Sequence, residues 1–176
     1  MAEFHREHHR MTRVDIATGL AYDEFVAALE KAAPPADLEQ TRQITAGGGS
    51  WDEVRRVVAQ NAPNELMVYA KLDAVPLFGV AGHRVRAVEY LIGNHVIAET
   101  MFRHDPKALL YAPLRMLVYS DADGNAVLTM DQPSTAFGSL SIAEVSEVGN
   151  GLDEKMVNLL RVVGVDAADA FRRADT

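Results

Sequence analysis

A chain of 176 residues with 48% apolar and 24% charged residues suffices for one domain with its own hydrophobic core, and no apolar run approaches the roughly 18 residues of a membrane span. A formal net charge of −8 disfavours phosphate backbones, which are bound through lysine and arginine, so neither nucleic acid nor a membrane is an expected partner. The absence of cysteine excludes disulfides, thiolate nucleophiles and thiolate-held zinc or iron–sulfur clusters; His, carboxylates, hydroxyls and Arg remain for any chemistry, and no cofactor or metal is expected.

The N-terminal MAEFHREHHRM is charged where a secretory signal needs an apolar core, so the cytoplasm is the expected compartment. Residues 1–8 are expected to be a flexible terminus. His5, His8 and His9 could take up a divalent metal adventitiously there, without the outer groups that orient catalytic ligands. From His9 to Thr18, alternation predicts a first strand. Tyr22, Phe25, Val26 and Leu29 then follow helical spacing, with Asp23 and Glu24 suited to the positive end of the dipole. Pro34-Pro35 ends that helix, and Ala36 to Gly49 is expected to be a loose connection.

A capping box, Ser50 with Glu53, opens a second helix with an apolar stripe of Trp51, Val54, Val57 and Val58, ending near Asn61. Leu66–Leu72 and Arg84–Ile92 are expected strands, paired antiparallel across an irregular link at Pro76–Gly82. Asn94 is a good N-cap for a third helix that runs to about His104 and buries Ile97, Ala98, Met101 and Phe102. Arg103, His104 and Asp105 at its end are explained by helix capping. Leu114–Ser120 and Ala126–Asp131 alternate around Asp123-Gly124-Asn125, the strongest hairpin signal in the chain. Asp121, Asp123 and Asn125 have the alternate spacing of calcium ligands, but the glycine and glutamate of a calcium loop are missing.

A last helical region has a second capping box, Ser141 with Glu144, and an interruption at Gly149-Asn150-Gly151. Leu152, Met156, Leu159, Leu160 and Val163 follow on one face, and Gly164 ends it. The order is β-α-α-β-β-α-β-β-α: an α+β fold with a largely antiparallel sheet of about five strands and helices packed on it. Residues 9–165 are read as one domain and 166–176 as a C-terminal helical tail. An open sheet leaves edges that must be covered or paired, which favours a homodimer.

Three strings stand together between Tyr90 and Phe137: YLIGNHVIAETMFRHDP, PLRMLVYSDADGN and VLTMDQPSTAF. Their succession resembles the DUF302 family, bacterial and archaeal domains with a Gly-Asn-Pro helix start, a Pro-Leu-Arg strand and an Asp/Glu-x-Pro-Ser turn. The resemblance implies an architecture, while the family's biochemical role is largely undefined. It also exposes a departure, because His95 stands where the family usually has Pro.

Gly93, Asn94 and His95 form the sharpest candidate site. Free backbone N–H groups at a helix start attract anions, Gly93 allows close approach, and an imidazole beside the positive end of a dipole should be held neutral. His95 is then either a ligand-contacting residue or general base, or simply a tolerated helix-start residue. Arg115, which matches the family's Pro-Leu-Arg string, points away from the face of Leu114 and Met116 together with Leu117 and Tyr119. It either binds a carboxylate or makes an internal salt bridge with Glu99 or Asp131.

The favoured expectation is a small-molecule binding domain for an anionic organic ligand, held by Gly93, Asn94, His95, Arg115 and Tyr119. The alternative is a cofactor-independent isomerase, cyclase or lyase, with His95 as the catalytic base and Arg115 steadying the anion. A third reading, a homo-oligomeric structural protein, would show an exposed apolar patch.

Overall fold

Five stretches of alternating apolar side chains become strands: β1 (Arg13–Ala21), β2 (Met67–Asp73), β3 (Ala87–Gly93), β4 (Leu114–Ser120) and β5 (Asn125–Asp131). In the computed structural model, which describes residues 1–172, they form a single antiparallel sheet in the order β1-β5-β4-β3-β2. The helices are α1 (Tyr22–Ala32), α2 (Leu38–Ala46), α3 (Trp51–Asn61), α4 (Val75–Val80), α5 (His95–Phe102), α6 (Pro133–Gly138) and α7 (Ala143–Val162). Short 3₁₀ turns lie at Pro106–Leu110 and Ala168–Phe171. The fold is therefore α+β, as the sequence pattern predicts. Of the tail expected at 166–176, the 3₁₀ turn is seen, and residues 173–176 lie outside the described residues.

Period-2 alternation gives the sheet one face to bury. Val88, Tyr90 and Ile92 of β3, Met116 and Val118 of β4, and Leu128 and Met130 of β5 all face one core. The stripe Phe25 and Leu29 of α1, Met101 of α5, and Leu152, Met156, Leu159 and Leu160 of α7 cover it. A second, smaller cluster joins Val54 and Val58 of α3 to Ala62 and Met67, while Trp51 of the expected stripe is exposed.

The β4–β5 hairpin turns where expected. Asp121 Oδ1 accepts from the backbone N–H of Asp123 at 2.9 Å and of Asn125 at 2.8 Å, and Gly124 has φ +85°. Those bonds use Asp121 as a turn residue.

Four local expectations are corrected. The first strand begins at Arg13, not His9. The stretch expected to be a loose connection contains α2, started by Asp37, whose side chain accepts from Gln40 N; none of its residues is buried, so no periodic stripe announces it. The irregular link between β2 and β3 contains the short helix α4, again with no buried residue. Phe102 is exposed rather than buried, because α5 turns only Met101 fully inward.

The final helix differs most. Ser141 has φ +58° and does not cap it; Ile142 is the N-cap residue, and α7 runs unbroken for 20 residues through Gly149-Asn150-Gly151. Gly149 is there for space. A Cβ built on it would lie 2.9 Å from Phe137 Cβ and 3.3 Å from Ser134 Cα, so α6 could not rest so close on any other residue. One turn later the buried Asp153 fastens the same contact. Its Oδ1 accepts from Ser134 N at 2.9 Å and its Oδ2 from Gln132 Nε2 at 2.7 Å; Gln132 also donates to the Phe171 carbonyl at 3.0 Å. A carboxylate from α7 thus caps α6, which begins with Pro133 and has no cap of its own.

Gly149 and Gly151 therefore respond oppositely to alanine. In a helix, alanine is favoured over glycine by about 1 kcal/mol, and nothing lies within 4 Å of a Cβ on Gly151. Gly151→Ala is expected to stabilise the protein by up to that amount. Gly149→Ala must displace Phe137 at the root of its side chain and is expected to destabilise by about 1–3 kcal/mol despite the propensity gain. Urea unfolding of the two variants measures both; a stabilising Gly149→Ala would remove the close-packing role.

Candidate functional site

The start of α5 follows from Asn94. Its backbone is extended (φ −152°, ψ 116°), and its Oδ1 accepts from Val96 N at 2.9 Å and Ile97 N at 3.3 Å. Its Nδ2 donates to the Glu65 carbonyl at 2.8 Å, tying the helix to the turn before β2. Two of the donors expected to hold an anion, Val96 N and Ile97 N, are thus taken by the cap itself.

The three residues Gly93, Asn94 and His95 do line a cavity, but its character differs from the expectation. It has a volume of about 190 Å³ and lies between α5, the 3₁₀ turn at Pro106–Leu110, α6, α7 and the end of the sheet. Ile97, Met101, Leu109, Pro113, Phe137 and Leu152 supply most of its wall, and no charged side chain among the described residues borders it. Gly93 borders it where a Cβ would be 3.5 Å from Pro113 and 3.8 Å from the Tyr69 ring.

Tyr69 is the site residue that sequence reading missed. Read by strict alternation, it would be an ordinary strand residue. In the structure the β2–β3 register shifts between Val68 and Ala70, so Tyr69 is the extra residue of a bulge. Bulging lets Val68 pair with Ile92 and Lys71 with Tyr90, both partners facing the core, and leaves the Tyr69 ring beside His95. Tyr69 Oη and His95 Nδ1 are 2.7 Å apart, with the rings edge to face at 6.0 Å. His95 Nε2 is buried and has no hydrogen-bond partner among the described residues.

Burial dominates the ionisation of both groups. It pushes the Tyr69 hydroxyl up to about 12 and pulls His95 below its ordinary value of 6.5. The sequence attributes the neutral imidazole to the helix dipole; desolvation is what holds it neutral. At neutral pH the pair is two uncharged rings sharing one hydrogen bond.

Arg115 and Tyr119 are not brought to this cavity. Leu114 borders it, and Arg115, the next residue along β4, points to the opposite face of the sheet, as does Tyr119. Arg115 is 80% exposed and pairs with Glu89, Nε to Oε1 at 3.1 Å, rather than with Glu99 or Asp131. Those two carboxylates pair with Arg103 and Arg13. His95 and Arg115 therefore do not converge, and the proton-abstraction scheme that required both in one pocket has no geometric basis.

At the far end of α5, Asp105 caps the following 3₁₀ turn through Lys107 N at 2.8 Å, and this bond holds its carboxyl below the usual range. The nearby His104 joins no catalytic constellation.

The arrangement has a counterpart among known sequences. The family described as domain of unknown function DUF302 matches residues 49–163, more than half of the chain. The chain belongs to the DUF302 family. A crystal structure of an uncharacterized conserved DUF302 protein from Bacillus stearothermophilus superposes with a TM-score of 0.58 at 15% identity, covering 87% of this chain and 97% of that one. At that identity the likeness concerns the fold. Nothing among curated proteins matches the chain. Set on the structure, the DUF302 Asp-x-Pro-Ser turn (Asp131 to Ser134) is the start of α6 capped by Asp153, and the Gly-Asn helix start borders the cavity.

A buried His with a lowered pKa makes stability depend on pH in one direction. The unfolded chain binds the proton at about 6.5 and the folded chain only at lower pH, so the contribution is complete above 6.5 and is lost as pH falls toward the folded value. Acidification from about pH 7 to about pH 5 is expected to lower the urea midpoint of the wild type more than that of His95→Gln. Parallel losses in the two proteins would show that His95 ionises freely.

Proposed function

We propose that this domain binds a small, largely apolar organic molecule in the cavity between α5, α7 and the end of the sheet. The observation that carries the reading is the cavity itself, about 190 Å³ with a mostly carbon-lined wall and its polar side chains, Tyr69, Asn94 and His95, gathered at the start of α5. Apolar cavities of roughly 150 Å³ take up benzene, whereas drug-sized ligands need roughly 300–1,000 Å³, so the occupant is about the size of one ring with a short substituent. The anionic ligand expected from the sequence is replaced, because Asn94 takes the Val96 and Ile97 donors of the helix start and Arg115 faces away.

The test is a binding screen of monocyclic aromatics and short-chain apolar molecules, followed by protein NMR shifts. Residues around the cavity, Ile97, Met101 and Leu152, are expected to shift together. Gly93→Ala, whose methyl fits the protein at ordinary contact distance, is expected to fold normally and bind more weakly. A chain indifferent to the whole series would end the reading. The cytoplasm is the compartment we propose, consistent with the absence of cysteine and of any helix among the described residues long and apolar enough to cross a membrane.

A second reading concerns self-association. The connection between β2 and β3 exposes Leu77 (71%), Phe78 (53%) and Val80 (90%) side by side on α4, an apolar patch on a chain whose net charge of −8 opposes anionic lipid surfaces. A homodimer through this patch is the proposed occupant. Sedimentation equilibrium is expected to show a dimer that Leu77→Glu converts to monomer; a monomeric wild type at high concentration would remove it.

A further inference from the structure

We infer that two copies of this chain join their sheets through the free edge of β2, antiparallel about a twofold axis at Leu72, so that Lys71 of each copy faces Asp73 of the other. The inference rests on the self-association reading above and gives that dimer its geometry.

Register decides which backbone groups of β2 are spare. Ala74 N donates to the Ala87 carbonyl at 3.0 Å, so these two residues face each other as a hydrogen-bonded pair. Every second pair before them, Leu72 with Glu89 and Ala70 with Leu91, is then of the same kind. Lys71 and Asp73 fall between, and their N–H and C=O groups point away from β3. Val68, on the other side of the bulge, also points outward, but its N–H donates to the Pro34 carbonyl at 2.9 Å and its carbonyl accepts from Ala36 N at 2.8 Å. Among the described residues no such cover continues to Lys71 and Asp73, and Lys71, Leu72 and Asp73 are all exposed.

A sheet edge open in this way is a template for another strand, and the side chains say which. In an antiparallel pairing centred on Leu72, Lys71 lies directly opposite the partner's Asp73, and Asp73 opposite the partner's Lys71. Each such pair exchanges two N–H···O bonds and brings opposite charges together on one face. Glu30 takes one hydrogen of the Lys71 ammonium and leaves two, while Asp73 uses only Oδ1, on Val75 N. On the other face the two Leu72 side chains, 55% exposed in the single chain, cover each other. The open stretch is short, and so is the strand that must enter it: β2 ends at Asp73, before segment 34–36 takes over the edge at Val68. The apolar patch of α4 follows β2 directly, so edge and patch form one continuous surface. The opposite edge, β1, is blunted by its exposed Arg13 and Asp15 and by the irregularity between Ala17 and Ala21, and the strand exposes no large apolar side chain.

Hydrogen exchange and sedimentation equilibrium test the pairing. In the unmodified protein the Lys71 and Asp73 amides are expected to slow as the concentration rises through the dissociation constant, while those of Ala70 and Leu72, already bonded to β3, stay the same. Asp73→Lys sets Lys71 against lysine and Lys71→Glu sets Asp73 against glutamate; each is expected to weaken the dimer about tenfold or more. An equimolar mixture of the two variants restores opposite charges at both contacts and is expected to recover the dimer. The exchange experiment needs no substitution and stands alone if either variant fails to fold. A dimer whose Lys71 and Asp73 amides exchange alike at every concentration, or a mixture of the folded variants no tighter than either one, would overturn the edge pairing and leave the α4 homodimer intact. A wild type that stays monomeric would remove both.

Discussion

One long helix covering one face of an antiparallel sheet is the constraint from which the rest follows. Strand alternation gives β3, β4 and β5 a single apolar face, and α7 lays Leu152, Met156, Leu159 and Leu160 along it. The helix is held by its contact with α6, where Gly149 permits close approach and Asp153 captures both Ser134 N and Gln132 Nε2. A buried carboxylate is costly unless fully bonded, and here both oxygens are used. Its geometry fixes where α6 lies, and Phe137 of α6 and Leu152 of α7 are two walls of the cavity.

Much of this frame was legible in the residues. Alternation located the strands, Asn94 and Ser50 marked helix starts through the bonds they make, and Asp123-Gly124-Asn125 marked the hairpin. What escaped has physical causes. The helix α2 buries nothing, so its sequence carries no amphipathic signature. Two glycines in three residues look like a break when only propensity is considered; in α7 their cost is outweighed by packing, and Gly149 is required by a neighbour 12 residues away in sequence, Phe137. Ser141 with Glu144 has the spacing of a capping box, yet Ile142 is the N-cap residue and the helix begins at Ala143.

The site was half visible. Gly93, Asn94 and His95 border the cavity because a helix start, read from its cap, does lie at its wall. Tyr69 was invisible because a bulge is a property of two paired strands, and the residue it displaces cannot be deduced from one strand's pattern. Polarity was misjudged for a related reason: the anion reading counts the free donors of a helix, and in the folded chain Asn94 Oδ1 takes those of Val96 and Ile97. Arg115 matched a family string, but alternation had already set it on the face away from Leu114, where Glu89 meets it.

His95 is the residue whose presence the fold explains least. At the first position of a helix the backbone N–H is an orphan and a fixed φ is an advantage, which is why proline suits it and is the family's usual choice. Histidine surrenders that advantage. Side chains of a helix lean toward its N-terminus, so one at this position overhangs the strand end and reaches the bulged Tyr69. That contact satisfies Nδ1 and leaves Nε2 buried and, among the described residues, unpaired, at a cost of about 1–3 kcal/mol. A residue that weakens the helix start and leaves a buried ring nitrogen unsatisfied is not accounted for by stability.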